Sequence, residues 1–502
     1  MADYDLAIIG GGINGAGIAR DAAGRGLRVL LVEQNDLGSG TSSASSKLIH
    51  GGLRYLEHGA FRLVSEALSE RELLLRMAPH LIRPLRVVLP VSANSRAGWL
   101  LRLGLFIYDR LGGRELLPPT ATLDLTHHPV GTPLKRSIRS GFEYSDCFTD
   151  DSRLVVLNAI DAAERGATIR TRTRLTRAER EDEWRLILSD QGRRDVATAR
   201  VLINAAGPWV GIVSETVLRL PGPSRVRLVK GSHIVVPKLY DHDRGYILQN
   251  TDRRIVFALP YAGDFTLVGT TDRNFAGDLD ALAPSAEEVT YLCDVVNGYF
   301  REPIGPGDVR WAFAGVRSLY DDGAGRPEDV TRDYHLELDE RYREAPLLTI
   351  YGGKITTYRR LAETALARLA RFFQLRAPWT ATAPLPGGDF AWDGLAALID
   401  EARRRWPFLD EREAMRLVQA YGTRLERVLG GAASRAELGP WFGPLSAAEV
   451  RYLMADEWAR RADDVLWRRS KLGLVLTADE TAALAQFIAG SAQPAGGRAP
   501  PA

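Results

Sequence analysis

The sequence predicts a mixed α/β protein: a parallel βαβ unit at its start, an antiparallel sheet in its middle, and a helical domain at its end. Three observations predict this. Asp3–Glu33 contains two short apolar runs, Leu6–Ile9 and Val29–Val32, separated by Gly10-x-Gly12-x-x-Gly15 and a helical segment to Arg25. Arg225–Asp272 has strand periodicity broken by turn residues. After the Pro384–Gly388 boundary (PLPGG), three capping boxes each precede a helical pattern: Asp410-x-x-Glu413, Ser446-x-x-Glu449 and Thr477-x-x-Glu480.

In the opening unit each glycine has a separate task. Gly10 lets the chain turn sharply, Gly12 lets backbone approach a pyrophosphate, and Gly15 lets the helix pack on the sheet. Phosphates then meet the free N–H groups and the positive dipole end of the helix. Glu33 lies eighteen residues after Gly15, where a carboxylate accepts hydrogen bonds from a ribose. Strand, glycines, helix, strand and acid together predict a Rossmann-like dinucleotide site; the alternative is a parallel βαβ unit with an empty turn.

Composition narrows the chemistry. The 502 residues exceed one ordinary domain, and 45% hydrophobic with 25% charged residues is a soluble globular balance. A net charge of +2 argues against bulk nucleic-acid binding. No stretch resembles a membrane span, and Asp3 and Asp5 stand where a signal peptide needs positive charge, so a cytoplasmic location is expected. Two cysteines, Cys147 and Cys293, exclude a cysteine-ligated iron–sulfur cluster, and the eight histidines show no metal spacing. Redox chemistry would then rest on an organic cofactor. Only six lysines occur, and Lys47, Lys230 and Lys354 fall in Gly/Ser-rich segments that read as site loops.

After Glu33 a serine-rich stretch runs from Gly38 to Ser46 and continues as Lys47-Leu-Ile-His-Gly-Gly-Leu-Arg-Tyr55, read as a ligand loop. Phe61–Met77 reads as a surface helix without chemistry. Trp99–Leu111 is apolar and aromatic with Arg96, Arg102, Arg110 and Arg114 interspersed, which fits either a core helix or an interfacial helix on a bilayer. A helix from Val155 to Gly166 precedes strand pieces at Ile169–Arg174 and Trp184–Leu188, then a buried strand from Arg200 ends in Asn204-Ala-Ala-Gly-Pro-Trp209. Arg227, Val229, Gly231 and His233 are expected on one strand face. Further strands are expected at Trp311–Val316, Tyr334–Leu338 and Leu347–Tyr351. Gly352–Thr357 then opens a helix reaching about Phe373, and the tail from Ser491 has a disordered composition.

The opening unit, the loop TSSASSKLIHGGLRYLEHG, and the segments GFEYSDC, NAAGPWV, RLVKGSHIVVP, VGTTD, AGVRSL, TRDY, YGGKITTYRRLAE and EWARRADDVLWRR together resemble the FAD-dependent glycerol-3-phosphate dehydrogenases. The likeness is greatest to the aerobic, quinone-reducing bacterial type and spans the chain in order. It implies a flavoprotein of the D-amino-acid-oxidase branch. FAD-binding parts at about 1–80, 145–215 and 340–385 would interleave with substrate parts at about 81–144 and 216–339. A helical domain over 386–490 and a tail over 491–502 would follow. The implied reaction takes sn-glycerol 3-phosphate to dihydroxyacetone phosphate and sends electrons to ubiquinone. The implied place is the cytoplasmic face of the inner membrane, held peripherally, and a homodimer is compatible with it.

The resemblance also implies residue roles. Arg54 and Arg332 would grip the phosphate, with Tyr55 and Thr270 as neutral partners. His233 would be the base, Arg317 would hold the developing oxygen charge, and Lys354 would stabilise charge on the reduced ring or hold a substrate oxygen. The FAD contacts it implies are Gly10, Gly12, Ile13, Asn14, Gly15 and Glu33; Thr41, Ser42, Ser45, Ser46 and Lys47; His50, Gly51, Gly52 and Leu53; Ala206 and Gly207; and Gly353, Lys354, Ile355, Thr356 and Thr357. One departure from the family is Ser318, where a proline usually follows the site arginine. Two other readings remain: an oxidase passing electrons to oxygen, and a flavin- or glycerophosphate-binding protein without turnover.

Overall fold

The first apolar run forms strand β1, Tyr4–Ile9, and the second forms β2, Val29–Val32. Helix α1, Ile13–Gly24, joins them. They pair in parallel, Leu6 opposite Val29 through Ile9 opposite Val32. The Arg193–Asn204 strand pairs in parallel on the other side of β1, bringing Asn204 beside Ile9. Parallel strands covered on both faces need continuous apolar runs rather than alternation, which is why these segments are so uniformly aliphatic. The computed structural model describes residues 2–92, 96, 98–113, 115–220, 225–252, 254–321 and 333–491.

Among the described residues this first sheet has eight strands. Its main path runs His335–Asp339, Leu347–Tyr351, Arg193–Asn204, β1, β2, Thr168–Arg170, and a hairpin of Thr173–Arg180 with Trp184–Asp190 extends the Arg193–Asn204 strand. Helix α2 is Phe61–Met77, α3 is Gly98–Leu111 and α4 is Asp151–Glu164. On the sheet, α1 packs against α4 and against the Tyr358–Leu369 helix. A methyl on Gly17 would lie 2.7 Å from the Tyr358 ring, so that crossing is close.

The second sheet holds the expected antiparallel ladder. Val226–Pro237 pairs with Phe265–Gly269 and with Trp311–Tyr320, placing His233 opposite Gly269 on one side and Phe313 on the other. Ile255–Tyr261 and Gly245–Gln249 continue it; Gly245–Gln249 then pairs in parallel with Ile82–Val91, which pairs antiparallel with Ser140–Thr149. Residues through Thr149 belong to the second sheet, and the chain rejoins the first at His335, because hydrogen-bond ladders rather than composition decide membership.

Helix α2 is not the surface helix expected. Glu70, Arg71 and Glu72 are buried, because Arg71 reaches Asp146 (3.0 Å) and Glu70 receives Arg359 (2.8 Å) from distant elements. The strand-face expectation holds in part. Gly231 and His233 line the cavity described below, whereas Val229 is buried beside Leu319 and Arg227 donates to Asn274. Val226 and Leu228 line it instead.

By compactness the chain divides into Met1–Trp392 and Asp393–Ala502. Within the second unit, helices Glu411–Tyr421, Ala447–Asp456 and Ala478–Ser491 enclose a core that includes Leu417, Val418, Leu445, Val450 and Leu453. The Asp410/Glu413 and Thr477/Glu480 boxes close reciprocally. At Ser446 only half the box forms. Glu449 gives its backbone N–H to Ser446, but its carboxylate accepts from Arg416 (2.7 and 2.8 Å) and Tyr421 (2.8 Å). The tail beyond Ser491 lies outside the described residues.

Candidate functional site

A cavity of about 1200 Å³ runs from the glycine turn after β1 to the Val226–Pro237 strand. At its nucleotide end the turn has the geometry that the spacing requires. Gly10 sits at φ +107°, open to glycine alone, with Ala205 O 2.6 Å from where a methyl would be. A methyl on Gly15 would stand 1.9 Å from Gly10 O, whereas one on Gly12 would meet only Ser42 Oγ, at 3.2 Å. Thus Gly15 serves packing and Gly12 faces the cavity. Ile13 N donates to Ser42 Oγ (3.0 Å), and Gly11 N donates to Glu33 Oε2 (2.7 Å). Burial raises the Glu33 carboxyl from its ordinary range, against the backbone N–H donors of Asn35 and Gly11. Asn14 reaches across to Gly352 O (3.1 Å), while its buried Oδ1 has no hydrogen-bond partner among the described residues.

At the far end the cavity carries charged side chains and an imidazole. His233 is 2% exposed, stacked on Phe313 at 5.0 Å and 12°, and its Nε2 lies 2.9 Å from Ser46 Oγ. Its Nδ1 makes no hydrogen bond among the described residues. Burial first, then the positive charges of Lys47 and Arg317, hold its pKa well below the ordinary histidine value. The imidazole is therefore neutral near pH 7 and able to accept a proton. Arg317, on the neighbouring strand, donates to Asp272. Lys354 Nζ sits 3.8 Å above the Tyr55 ring. Tyr55 and Arg54 belong to the helical turn Leu53–His58, entered through Gly52 at φ +78°, where a methyl would strike the Tyr55 ring at 2.2 Å. His50 is clamped by Thr356, donating its N–H to Oγ1 (3.2 Å) and accepting from it at its carbonyl (3.3 Å). Burial and then Lys354, Arg71 and Arg317 lower the His50 pKa to about 3.

The cavity brings together His233, Arg317 and Lys354 with Arg54, Tyr55 and Thr270. It also takes in Gly10, Gly12, Ile13, Asn14, Glu33, Thr41, Ser42, Ser45, Ser46, His50, Gly52, Leu53, Ala206, Gly207, Gly353, Ile355 and Thr356. Gly15, Lys47, Gly51 and Thr357 are off its wall. Lys47 corrects its expected role most clearly: it is fully buried and its ammonium pairs with Asp151 at 2.8 Å. Lys230 likewise pairs with Glu288 instead of serving a site loop. Arg332 lies outside the described residues.

Sequence reasoning passed over Trp209, Arg254, Phe257 and Asp272, which also line the cavity. Trp209 and Asp272 were within reach, standing at the ends of NAAGPW and VGTTD. Phe257 follows from alternation with Ile255 along its strand. Arg254 stands in a turn with no pattern to single it out.

The residues present fit a flavin dinucleotide. The glycine turn offers its backbone to a pyrophosphate, the Asn14 oxygen lacks a partner, and the cavity continues from a nucleotide-type βαβ unit to a basic, histidine-bearing end. No cluster suited to a metal ion occurs among the described residues.

Comparison with known proteins agrees. The family described as FAD dependent oxidoreductase matches residues 5–359, and the C-terminal domain of alpha-glycerophosphate oxidase matches residues 378–496. The chain is 53% identical to a glycerol-3-phosphate dehydrogenase of Pseudomonas aeruginosa, over 97% of this chain and 95% of that protein. It is 50% identical to a D-erythritol 1-phosphate dehydrogenase of Brucella abortus (96% and 97%). To the aerobic glycerol-3-phosphate dehydrogenase of Escherichia coli it is 48% identical (97% and 98%). Among solved structures it resembles the glycerol-3-phosphate dehydrogenase of Bacillus halodurans complexed with FAD, with TM-score 0.75, 26% identity, and coverage of 97% of this chain and 94% of that one.

Proposed function

Because the chain belongs to the family of FAD-dependent oxidoreductases, we propose that it oxidises sn-glycerol 3-phosphate to dihydroxyacetone phosphate and delivers the electrons to a membrane quinone. The observation that carries this reading is the single cavity joining a dinucleotide turn to a buried neutral histidine flanked by Arg317, Lys354 and Arg54. Bound FAD supplies the two-electron acceptor that no side chain here can replace. The protein's own part is binding and proton handling. Arg54, with Tyr55 and Thr270 nearby, grips the phosphate dianion, and Arg332 is proposed as the second fork. His233 accepts the C2 hydroxyl proton as the C2 hydride departs. Arg317, its own charge tempered by Asp272, steadies the oxygen as it becomes a carbonyl, and Lys354 stabilises the negative charge gathering around it.

Anaerobic mixing of the FAD-loaded protein with glycerol 3-phosphate tests this directly. The flavin's visible absorbance is expected to bleach with formation of dihydroxyacetone phosphate; an unchanged spectrum sinks the reading and favours a binding protein without turnover. The similarity to a D-erythritol 1-phosphate dehydrogenase supports a second reading, a substrate one carbon longer. Comparing kcat/KM for the two polyol phosphates separates them.

For the acceptor, α3 supports a membrane partner. Its inner face buries Leu101, Leu105 and Tyr108, while Trp99 (71%), Leu103 (49%) and Phe106 (52%) are exposed beside arginines. No helix among the described residues is long and apolar enough to cross a membrane. This division supports a helix resting in the headgroup region and an enzyme held peripherally near a membrane quinone. Turnover with a quinone analogue but little with oxygen is expected; the reverse would make the protein an oxidase.

A further inference from the structure

Lys47 lies in a loop of small polar residues, yet its ammonium is completely buried with the Asp151 carboxylate at 2.8 Å. A buried ion pair brings little net stability over apolar packing, so its presence asks for another purpose. The hydrogen bonds around it supply one. Asp151 Oδ2 accepts from both Ser45 N (3.0 Å) and Ser45 Oγ (2.7 Å), and Ser45 Oγ accepts from Lys47 N (3.0 Å). Lys47 Nζ also donates to Ser43 O (3.1 Å). Lys47 itself stands at φ +57°, a conformation unusual for a residue with a side chain. The turn is thus tied at Ser43, Ser45 and Lys47, on both sides of Ser46, whose Oγ meets His233 Nε2 at 2.9 Å. Lys47 also lies 5.2 Å above Phe313, the ring on which His233 stacks.

We propose that the Lys47–Asp151 pair is a positioning device for His233: it fixes the turn that presents Ser46 to the imidazole, and it keeps a cation beside the ring. Neither residue lines the cavity, so both act through Ser46 and through the field at His233. The charges facing His233 are Lys47 with its partner Asp151, and Arg317 with its partner Asp272. A cation next to a buried imidazole disfavours its protonated form, and a base must be unprotonated to act. The role assigned to His233 rests on the proposed oxidation; the state of its ring does not.

The test reads that ring directly, by ¹⁵N NMR of histidine-labelled, FAD-loaded protein across pH, with His233→Gln assigning the signal. In Lys47→Met the His233 titration is expected about one pH unit or more above the wild type, with the acid limb of kcat/KM moving the same way. In Asp151→Asn, which leaves the cation without its counter-charge, it is expected to move lower. Lys47→Arg should restore the wild-type position. A Lys47→Met protein with normal FAD content and an unmoved His233 titration overturns the proposal. Should Lys47→Met fail to fold, Ser46→Ala leaves the pair intact: an altered Nε2 shift with lower kcat at similar KM supports the device, and unaltered shifts and kcat overturn it. Absence of flavin reduction by glycerol 3-phosphate in the wild type would refute the oxidation, and the ring titrations would still decide the positioning.

Discussion

Gly15 shows how far a single residue controls the cofactor. A methyl there would press to within 1.9 Å of Gly10 O, backbone that cannot swing aside, so Gly15→Ala must reopen the turn meant to hold the pyrophosphate. The purified variant is expected to retain less FAD by at least about tenfold, an affinity loss of roughly 1.4 kcal/mol or more, read from its flavin-to-protein absorbance ratio. At the other end the predictions divide by role. Arg54→Ala removes a charge-assisted grip of about 1.5–3 kcal/mol, so KM for glycerol 3-phosphate should rise roughly ten- to hundredfold in steady-state assays. His233→Ala removes a proton acceptor, and kcat should fall by about 10²–10⁴ with a smaller change in KM. Full hydride-transfer rate in that variant would remove His233 as the base. Glycine spacing made Gly15 readable in the sequence, whereas Arg54 and His233 were singled out by the family resemblance. The pairing of Lys47 was not readable, because its partner is 104 residues away and only the folded turn shows it facing Asp151.

Elements were legible where one local pattern determined them. The strands at Val226–Pro237, Gly245–Gln249, Ile255–Tyr261 and Phe265–Gly269 fall where alternation and turn residues put them. Helix α2 matched its expected span, but its environment did not follow from its charges, since Glu70 and Arg71 spend theirs on Arg359 and Asp146. For α3 the sequence left two readings: the core reading holds for the face that buries Leu101, Leu105 and Tyr108, and the interfacial reading is our proposal for the opposite face. Tyr108 on the buried face donates to Asp146 (2.7 Å) and accepts from Gly51 N (2.8 Å), so the helix is fastened to the loop that precedes Arg54. On the outer face Phe106 is covered by Arg110 of the same helix, 3.5 Å over its ring, and Trp99 is 71% exposed. Changing Trp99, Leu103 and Phe106 together to polar residues is therefore expected to leave stability within about 0.5 kcal/mol and to abolish binding to anionic liposomes in a flotation assay. Unchanged flotation would acquit α3 as the membrane contact.

Over residues 1–392 the chain returns to one cavity repeatedly, among other places at the glycine turn, the serine loop, Ala206–Gly207, the Val226–Pro237 strand and Gly352–Thr356. Each return brings polar groups inside; His80 and His233 are buried in neutral form, and His50 stands part-buried on the cavity wall. Their effect on stability has a definite sign. His80 is completely buried, neither ring nitrogen has a hydrogen-bond partner among the described residues, and burial with the Arg153 charge lowers its pKa to about 3. In the unfolded chain it titrates near 6.5. Between these values the unfolded state binds the proton and the folded state does not, so His80 contributes stability that is complete above pH 6.5 and is lost steadily as pH falls toward about 3. His50 and His233 act in the same direction, whereas Asp146, raised to about 6 by burial, opposes them by favouring the folded state at lower pH. Comparing variants cancels these shared contributions. His80 is off the cavity wall, so His80→Leu removes one titrating group without touching the site. Urea unfolding of the FAD-loaded proteins between pH 5 and 6 should show the variant losing about 1.4 kcal/mol less per pH unit than the wild type. Equal slopes would mean that His80 takes up its proton within the fold.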